Sequence, residues 1–452
     1  MGITLQHDDV RQRLLLALEQ KSDRNVYACY QCGKCAAACP FDFSPQRVMR
    51  HLQLGQVERA LTTDTTWVCA SCLTCSRVCP KDVDPAGMLK ALRGIRDGWL
   101  VAESEQSENG TERRRLTDLA ARQYRRRNHA FRSYFFANIH DVSRRASRVA
   151  PLANWVSGLP VSRLLAHHLL GVHKERSLPE FVRPTFPKWF GDREPRGDGH
   201  RGEVFLFHDT FMDYDAPQIG VAVTELLELA GYRVALSDTV CCGRPMISKG
   251  YTHKATRQAR INVERLHRQV RDGGYLVGCE PSCLLTVREE YPRMLAGSDL
   301  QERAREVAER CLLVDEFLAD ERTGGELKLG LDGGDRGEVL FHGHCQQKAE
   351  ADPACSLELL RRAGFRAEMV RAPCCGMAGA FGFEREHYEA SRTAFHRALG
   401  PALESRPEAR LAVLGISCRK QIEHFTGRPA QHVVELLRET AKPPGAAVAR
   451  MP

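Results

Sequence analysis

Two copies of one cysteine string decide the fold at the N-terminal end of this chain: Cys29-Tyr-Gln-Cys32-Gly-Lys-Cys35-Ala-Ala-Ala-Cys39-Pro40 and Cys69-Ala-Ser-Cys72-Leu-Thr-Cys75-Ser-Arg-Val-Cys79-Pro80. A [4Fe–4S] cluster needs four thiolates, and three of them can come from one such loop. The fourth Cys, which precedes Pro, ligates the other cluster in proteins that hold two. The spacing therefore predicts two clusters close together, one held by Cys29, Cys32, Cys35 and Cys79 and the other by Cys69, Cys72, Cys75 and Cys39.

Zinc is the alternative occupant of these loops. Structural zinc sites use two separated C-x2-C pairs, whereas each string here packs four Cys into eleven residues. Because the length, the spacing and the trailing Pro all repeat, we favour iron and sulfide over zinc. Electron transfer is then the first function that the sequence indicates.

The composition limits the classes of protein that fit. A chain of 452 residues can form two to four domains. Eighteen Cys without an export signal indicate a reducing compartment, so a cytoplasmic location is expected, with peripheral attachment to the inner face of the cytoplasmic membrane as an option. No window approaches eighteen apolar residues, and the net charge of +8 is too modest to suggest nucleic acid as a partner.

A basic segment at residues 113–148 is the exception to this modest charge. It contains eleven arginines, interleaved with Tyr124, Phe131, Tyr134, Phe135 and Phe136. The arginines are Arg113, Arg114, Arg115, Arg122, Arg125, Arg126, Arg127, Arg132, Arg144, Arg145 and Arg148. Such a segment can dock on an anionic membrane or a membrane-anchor subunit, or its aromatics can pack on the protein's own body.

The chain changes character at Glu203. Before it the pattern is helical, whereas after it short apolar runs alternate with helical stretches, as in βαβ units with a parallel sheet. This half also repeats at an offset of 133–135 residues: Glu203-Val recurs as Glu338-Val, Cys241-Cys242-Gly243 as Cys374-Cys375-Gly376, and Cys283 as Cys418. Three anchors at one offset predict two related α/β modules.

Each module carries its own candidate ligands. A Cys-Cys pair suits a cluster, whose several irons can each take a thiolate, better than one tetrahedral metal. The first module offers Cys241, Cys242, Cys279 and Cys283, and the second offers Cys345, Cys374, Cys375 and Cys418. His208 and His342 are interpreted as equivalent positions of the repeat, either as ordinary core histidines or as groups that bind a cluster. Cys311 and Cys355 lie outside both sets and are expected to be packing residues.

Several motifs resemble the CCG-domain iron–sulfur subunit family. This family includes the C subunit of anaerobic glycerol-3-phosphate dehydrogenase, the iron–sulfur subunits of glycolate and lactate oxidation, and heterodisulfide reductase. The motifs are Cys29-Tyr-Gln-Cys-Gly-Lys-Cys35, Thr185-Phe-Pro-Lys-Trp189, Asp213-Tyr-Asp-Ala-Pro217, Cys241-Cys-Gly-Arg-Pro-Met-Ile-Ser-Lys-Gly250, Arg288-Glu-Glu-Tyr-Pro292 and Cys374-Cys-Gly-Met-Ala-Gly-Ala-Phe-Gly-Phe383. The resemblance implies two [4Fe–4S] clusters in a ferredoxin domain and one or two further iron–sulfur clusters in the CCG modules. It also implies a flavoprotein dehydrogenase as partner.

The chain departs from the five-cysteine pattern of a complete CCG module. The first module has Thr210 in place of the early Cys, and the second has Gly415 where the late pair would begin. Each site keeps four candidate thiolates, which favours electron relay over disulfide cleavage. The resemblance implies that the downstream acceptor is one such as quinone. The alternative is a heterodisulfide-reductase-type catalytic subunit that reduces a disulfide at a CCG cluster, and a zinc-stabilised scaffold is the third possibility. No residue stands out as an acid–base or nucleophilic catalyst.

The expected fold is a multidomain α+β architecture in four parts. They are an N-terminal helical two-[4Fe–4S] ferredoxin domain at 1–100, a helical basic connector at 101–202, a first CCG module at 203–330 and a second CCG module at 331–452. No Gly-x-Gly-x-x-Gly follows a predicted strand and opens a helix, so flavin or nicotinamide binding is assigned to a separate protein.

Overall fold

The computed structural model describes residue 19 and residues 24–97, 110–128, 130–178, 180–324, 327, 329–330 and 334–441. Within these ranges a helical half precedes two four-stranded parallel sheets. One strand begins at Glu203 and another at Glu338, the two positions where the repeat in the sequence begins. The predicted limits at residues 100 and 330 adjoin stretches outside the described residues, so the domain boundaries stay predictions.

Short helices build the region of the two cysteine strings, residues 24–97. They are Val26–Ala28, Lys34–Ala37, Pro45–Gln53, Val57–Thr62, Asp64–Val68, Thr74–Arg77, Pro85–Gly94 and Ile95–Asp97. Pro45 and Pro85 each open a helix at its first position, where a missing N–H costs nothing. The helices Pro45–Gln53 and Pro85–Gly94 pack together in one apolar core. The first contributes Val48, Met49 and Leu52, and the second contributes Met88, Leu89 and Leu92.

The connector, residues 110–192, is helical as expected. Its helices are Gly110–Arg127, Ala130–Ala137, Ile139–Ser147, Ala150–Gly158, Pro160–Leu165, Ala166–Leu170 and Phe186–Asp192. Part of the basic segment packs on the protein itself: Tyr124 is buried against Trp67 and donates to Lys249 O at 3.0 Å. Arg132 is 1% exposed and donates to Glu386 Oε2 at 2.9 Å. For these residues packing on the protein's own body was the correct alternative.

The two sheets have the same topology. The first has the order β2-β1-β3-β4 and the second the order β6-β5-β7-β8, with every pair parallel. The strands are β1 Glu203–Phe207, β2 Arg233–Leu236, β3 Tyr275–Gly278, β4 Cys311–Leu313, β5 Glu338–His342, β6 Arg366–Met369, β7 Arg410–Val413 and β8 Ala430–His432. We call the two units that carry these sheets the first and second sheet modules.

Helices follow the strands in both modules. In the first they are Thr210–Tyr214, Pro217–Leu229, Arg244–Ser248, Thr252–Val270, Pro281–Leu285, Thr286–Glu290, Tyr291–Met294, Gln301–Glu309, Val314–Ala319 and Glu321–Gly324. In the second they are Cys345–Glu350, Ala354–Arg362, Phe381–Phe383, Tyr388–Ala394, Phe395–Leu399, Gly400–Glu404, Ile416–Thr426 and Val433–Thr440. One apolar cluster joins the modules, because it contains Leu226 and Leu227 of the first together with Leu436 and Leu437 of the second.

The strand register corrects one expectation. Phe207 pairs with Gly278 in the first sheet and His342 pairs with Val413 in the second, so Phe207 is the equivalent of His342. His208 lies one residue further along, and the interpretation of His208 and His342 as equivalent was wrong. Because side chains alternate along a strand, a shift of one residue changes the face to which a side chain belongs.

Candidate metal centres

The thiols of Cys39, Cys69, Cys72 and Cys75 line one cavity in the region of the cysteine strings. We call them the inner cysteine set. The other walls of the cavity are largely apolar, since Pro40, Phe41, Phe43, Pro45 and Leu73 contribute to them. Burial raises the pKa of Cys39 to about 11, and the nearby Cys72 and Cys69 add to this rise. Four thiols around one enclosed space are a donor set that fits a [4Fe–4S] cluster, and Cys39 reaches it from the other string.

The outer cysteine set consists of Cys29, Cys32, Cys35 and Cys79. Interaction with Cys32, then burial, and then the charges of Cys79 and Cys29 raise the pKa of Tyr30, so Tyr30 lies near these thiols. Cys35 is buried, whereas Cys32 is exposed. Tyr27 and Tyr30 beside it are 55% and 57% exposed. The outer set is therefore exposed to solvent at Cys32, whereas the inner set lines a cavity.

The backbone of both strings turns in the same unusual way. Gln31 and Gly33 have φ of 62° and 78°, and the equivalent Ser71 and Leu73 have φ of 53° and 59°. Left-handed turns in succession aim backbone N–H groups inward, as in anion-binding nests. Ser71 N donates to Cys69 Sγ at 3.4 Å, and Val83 N donates to Cys79 Sγ at 3.4 Å. Such donors stabilise the negative charge of thiolates.

In the second sheet module the four expected thiols form a chain of contacts. Cys374 interacts with Cys345 and with Cys375, and Cys375 in turn interacts with Cys418. Gly376 has φ of 92° directly after the pair, and its N–H donates to Cys374 Sγ at 3.3 Å. The structure brings all four sulfurs to the carboxyl end of the sheet, where parallel sheets bind their ligands.

The first sheet module brings fewer sulfurs together. Cys242 interacts with both Cys241 and Cys283, and Gly243 has φ of 83° after the pair. Cys279 is buried among acids instead: after burial, Asp209, Asp315 and Glu280 raise its pKa. Thr210, at the place of Cys345, accepts or donates a hydrogen bond at 2.9 Å with His140 Nδ1.

The inner set lies directly against the second sheet module. Cys39 and Cys72 share one buried cluster with Cys374 and Phe381, and Phe41 packs edge-on against Phe381 with ring centroids 4.7 Å apart. The interaction with Cys374 lowers the pKa of Cys72 to about 6, against the opposing effect of burial. This contact between thiols of two regions was not foreseen from the sequence, because nothing in a motif reports which module packs on which loop.

Buried ion pairs hold these regions together. Glu290 of the first module pairs with Lys90 and with Arg244, whose guanidinium also donates to Ser71 O at 3.2 Å. Glu384 of the second module pairs with Lys249 and, at 3.6 Å, with Arg132. Burial alone would raise the pKa of Glu384, but Lys249, His387 and Arg132 together lower it to about 2.

Glu280 is a second residue that the sequence did not single out. Its Oε1 accepts from Ser282 N at 3.2 Å at the start of its own helix, and its Oε2 accepts from Ile416 N at 2.8 Å across the module contact. Gly415 directly precedes the helix Ile416–Thr426, and a Cβ at Gly415 would lie 2.6 Å from Cδ2 of His344. The position of the missing fifth Cys is therefore filled by a neighbouring ring.

The fold and these thiol groups define a class of protein: an iron–sulfur protein with an N-terminal two-cluster ferredoxin domain followed by a cysteine-rich domain. Residues 23–83 match the family model of the 4Fe–4S dicluster domain, and residues 205–288 match that of the CCG cysteine-rich domain. The expectation that the protein holds iron–sulfur clusters and the resemblance to CCG-domain subunits are thereby confirmed.

Comparison with curated proteins identifies the family. The chain is 30% identical to the C subunit of anaerobic glycerol-3-phosphate dehydrogenase of Escherichia coli over 298 residues, which are 64% of this chain and 72% of that protein. It is 27% identical over 242 residues to D-2-hydroxyglutarate dehydrogenase of E. coli, covering 53% of this chain and 23% of that protein. It is 26% identical over 185 residues to lactate utilization protein A of Oceanobacillus iheyensis, covering 40% and 72%.

This chain belongs to the family of the anaerobic glycerol-3-phosphate dehydrogenase C subunits. It is an iron–sulfur electron-transfer subunit, as its cysteine strings predict.

Proposed function

We propose that this chain relays electrons between a flavoprotein dehydrogenase and a downstream acceptor such as a quinone, through cofactors held in three of its thiol groups. The outer set, the inner set and the four thiols of the second sheet module are the proposed ligands, and the second module is proposed to be a CCG module like the first. Iron–sulfur clusters bound there would supply one-electron carriers. The names of the relatives, which include a dehydrogenase subunit, support a dehydrogenase as partner.

The contact of Cys72 with Cys374 carries this proposal. Both side chains are buried, at 7% and 1% exposure, in a cluster with Phe41 and Phe381 that keeps water out. The proposed relay is a series of three thiol groups: the outer set, the inner set and the thiols of the second sheet module. The outer set lies at the end away from Cys374, next to exposed Tyr27 and Tyr30. One end of the series is therefore accessible to a partner, while the inner end is insulated by the body of the protein.

The relay is tested with small probes that replace the unidentified partners. Anaerobic protein is mixed with reduced flavin mononucleotide as donor and then with menadione as acceptor, and cluster absorbance is followed by stopped flow. We expect reduction and then reoxidation, with reduction at least tenfold slower in Cys32→Ala/Cys35→Ala, which removes the accessible end. Cys355→Ala, outside all three groups, is the matched control. Failure of menadione to reoxidise the protein, or wild-type rates in the double variant, would contradict the proposal.

We propose further that the connector docks on an anionic membrane surface. Eight large apolar side chains, the apolar patch, are each between 44% and 66% exposed on consecutive helices. They are Val149, Leu152, Trp155, Val156, Val161, Leu164, Leu165 and Leu169. The patch begins directly after the basic segment 113–148, for which docking was predicted. Among the described residues, no helix has the length and apolar character needed to traverse a bilayer.

Charge is the reason for choosing an anionic bilayer as the occupant of this patch. Residues 142–174 contain no Asp or Glu, whereas Arg144, Arg145, Arg148, Arg163 and Lys174 are exposed there. Amphipathic helices with exposed Leu and Trp beside Arg lie in the interface of anionic membranes, with the apolar side chains inserted and the cations at the headgroups.

Vesicle sedimentation tests this docking. Vesicles of phosphatidylcholine and phosphatidylglycerol (3:1) should bind the protein, and Leu152→Ser/Trp155→Ser/Leu164→Ser should weaken binding at least tenfold. Tyr27→Ser/Tyr30→Ser removes exposed aromatics outside the patch and should bind as the wild type does. Equal binding by the triple variant and the wild type, or equal binding of the wild type to the mixed vesicles and to pure phosphatidylcholine vesicles, would contradict membrane docking. Neither result would bear on the proposed electron relay.

A further inference from the structure

His342 is a buried imidazole that interacts with the thiol of Cys375. It is the last residue of β5 and is 1% exposed. Among the described residues neither Nδ1 nor Nε2 has a hydrogen-bond partner of normal geometry. Buried polar groups in native proteins are nearly always paired, and unpaired ones concentrate where a ligand or a reaction needs them. The ring is therefore available to bind a group at the end of the sheet.

The geometry around His342 is that of a ligand set. A ring nitrogen of His342 and the Sγ atoms of Cys375 and Cys418 all lie within 4.8 Å of one another, and all three side chains are buried. These residues come from three elements: the end of β5, the loop after β6 and the helix Ile416–Thr426. Cys375 in turn contacts Cys374, and Cys374 contacts Cys345. The imidazole thus adjoins the thiol group that is proposed to hold the centre of the second module.

The first sheet module shows that the scaffold does not require a histidine here. Phe207 has the same register at the end of β1, in a sheet of the same order, and is itself 3% exposed. His208, one residue on, is already engaged, because its Nδ1 lies 3.0 Å from Asp213 Oδ1 and its Nε2 lies 3.3 Å from Ser237 O. If the side chain at this position served only for packing, an apolar ring such as that of Phe207 would suit both modules.

His344 differs from His342 although it is two residues away. Its Nδ1 accepts from Gln346 N at 3.3 Å and so caps the helix Cys345–Glu350, as the carboxylate of Asp209 caps the equivalent helix of the first module. His344 therefore has a structural role as a helix cap, and Asp209 has the same role in the first sheet module. His342, in contrast, caps no helix, and its ring adjoins the sulfurs of Cys375 and Cys418.

We propose that His342 binds iron through a ring nitrogen, so that the centre of the second sheet module has a mixed Cys and His ligand set that includes Cys375 and Cys418. This inference rests on the proposed function only in that the second module holds an iron–sulfur centre. A neutral imidazole in place of an anionic thiolate leaves less negative charge on the centre, and in Rieske proteins this replacement raises the reduction potential. The second-module centre would then be easier to reduce than an all-thiolate centre in the same surroundings.

Pulsed electron paramagnetic resonance on protein labelled with [15N]histidine tests this ligand directly. The dithionite-reduced wild type should show, in one of its centres, a nitrogen coupling as large as that of a directly bound imidazole. His342→Cys should lose the coupling, keep the iron content and shift one midpoint potential downward. His208→Asn, which removes a histidine at the same edge of the sister sheet, should keep the coupling.

Three results would overturn the inference. They are reduced centres in the wild type without nitrogen coupling, a coupling as weak as that of a hydrogen bond, and an unchanged coupling in His342→Cys. The wild-type spectrum decides the question even if the variant fails to fold. Failure of the relay would look different: the coupling would be present, but menadione would not reoxidise the protein.

Discussion

The two sheet modules share one scaffold and differ where the strands end. Both have four parallel strands in the same order and register, and both place Cys-Cys-Gly with a left-handed Gly after the second strand. Several equivalent positions at this edge differ between the modules. With the residue of the first module named first, they include Phe207 and His342, Thr210 and Cys345, Cys279 and Leu414, and Glu280 and Gly415. At these positions the second module has the thiol of Cys345 and the imidazole of His342, whereas the first has the thiol of Cys279, the carboxylate of Glu280 and the hydroxyl of Thr210.

This difference shows that the scaffold and the ligand set are separable. The sheet is held by its apolar interior, including Val204, Leu206 and Leu276 in the first module and Val339 and Leu411 in the second. The strand ends and the loops after them are where the two modules differ, and such positions on a rigid scaffold commonly carry function. The module that faces the inner cysteine set is the one with the more complete set of ligands.

Removing one thiol from each module breaks the comparison most directly. We expect Cys375→Ser to lower iron by about four atoms per chain from about twelve, because its sulfur lies at the centre of the second thiol group. Cys242→Ser, the matched change in the first module, should lower iron by less than one atom. Iron and acid-labile sulfide, measured anaerobically, check both. Equal losses in the two variants would mean that both modules hold clusters.

The buried acid Glu384 should be the most important single ion-pair residue of the second module. Glu384→Gln leaves Lys249 buried without its carboxylate, while Arg132 keeps its pair with Glu386, and the loss costs about 3–5 kcal/mol of unfolding free energy. Asp42→Asn is the control, because its pair with Arg397 is exposed and is worth less than about 1 kcal/mol. Denaturant unfolding measures both. Similar costs for the two changes would show that Glu384 does not tie the regions together.

The same pair predicts a pH dependence. Lys249, His387 and Arg132 lower the pKa of Glu384 from an ordinary 4.5 to about 2, in spite of burial. Its stabilisation is thus complete above about pH 4.5 and declines as the pH falls toward 2. The stability difference between the wild type and Glu384→Gln should shrink as the pH falls from about 4.5 toward 2. A difference that grew on acidification would have the wrong sign.

The glycines after the two Cys pairs sharpen the comparison on a smaller scale. Both have positive φ, which costs an L-residue about 1–2 kcal/mol. A Cβ at Gly376 would also lie 2.4 Å from Ser391 O, whereas at Gly243 the nearest atom is Ala255 Cα at 3.4 Å. Gly376→Ala should therefore cost about 3 kcal/mol and Gly243→Ala about 1 kcal/mol. A smaller loss of unfolding free energy for Gly376→Ala than for Gly243→Ala would show that the loop after Cys375 accommodates the added methyl group at little cost.

The smallest expected effect belongs to Cys355. It is partly exposed, and burial followed by the charge of Asp315 raises its pKa to about 12, so it is a poor thiolate. Cys355→Ser should leave iron unchanged and alter the unfolding free energy by less than about 0.5 kcal/mol. A loss of iron in this variant would move Cys355 into a ligand set.

Much of the candidate site was predictable because its information is local. Cys-x2-Cys spacing, the Cys-Cys-Gly repeat and the alternation of short apolar runs with helices are properties of consecutive residues. They indicated the two strings, the two parallel sheets and the ligand candidates. The equivalence of His208 and His342 was misjudged because a constant offset does not resolve a shift of one residue, whereas strand pairing does. The packing of Tyr124 and Arg132 on the body of the protein was likewise undecided, since charge and aromaticity are compatible with either outcome.

The sequence alone determined the chemistry of this protein: thiols in cluster spacing, repeated in two strings and two modules, and hence an iron–sulfur electron carrier. Only the tertiary structure decided the connections. It alone placed Cys72 beside Cys374, left Cys279 among acids and aimed His342 at Cys375 and Cys418. The reason is physical: ligand spacing within a loop depends on a few covalent bonds, whereas contacts between loops depend on how whole modules bury their apolar faces against one another.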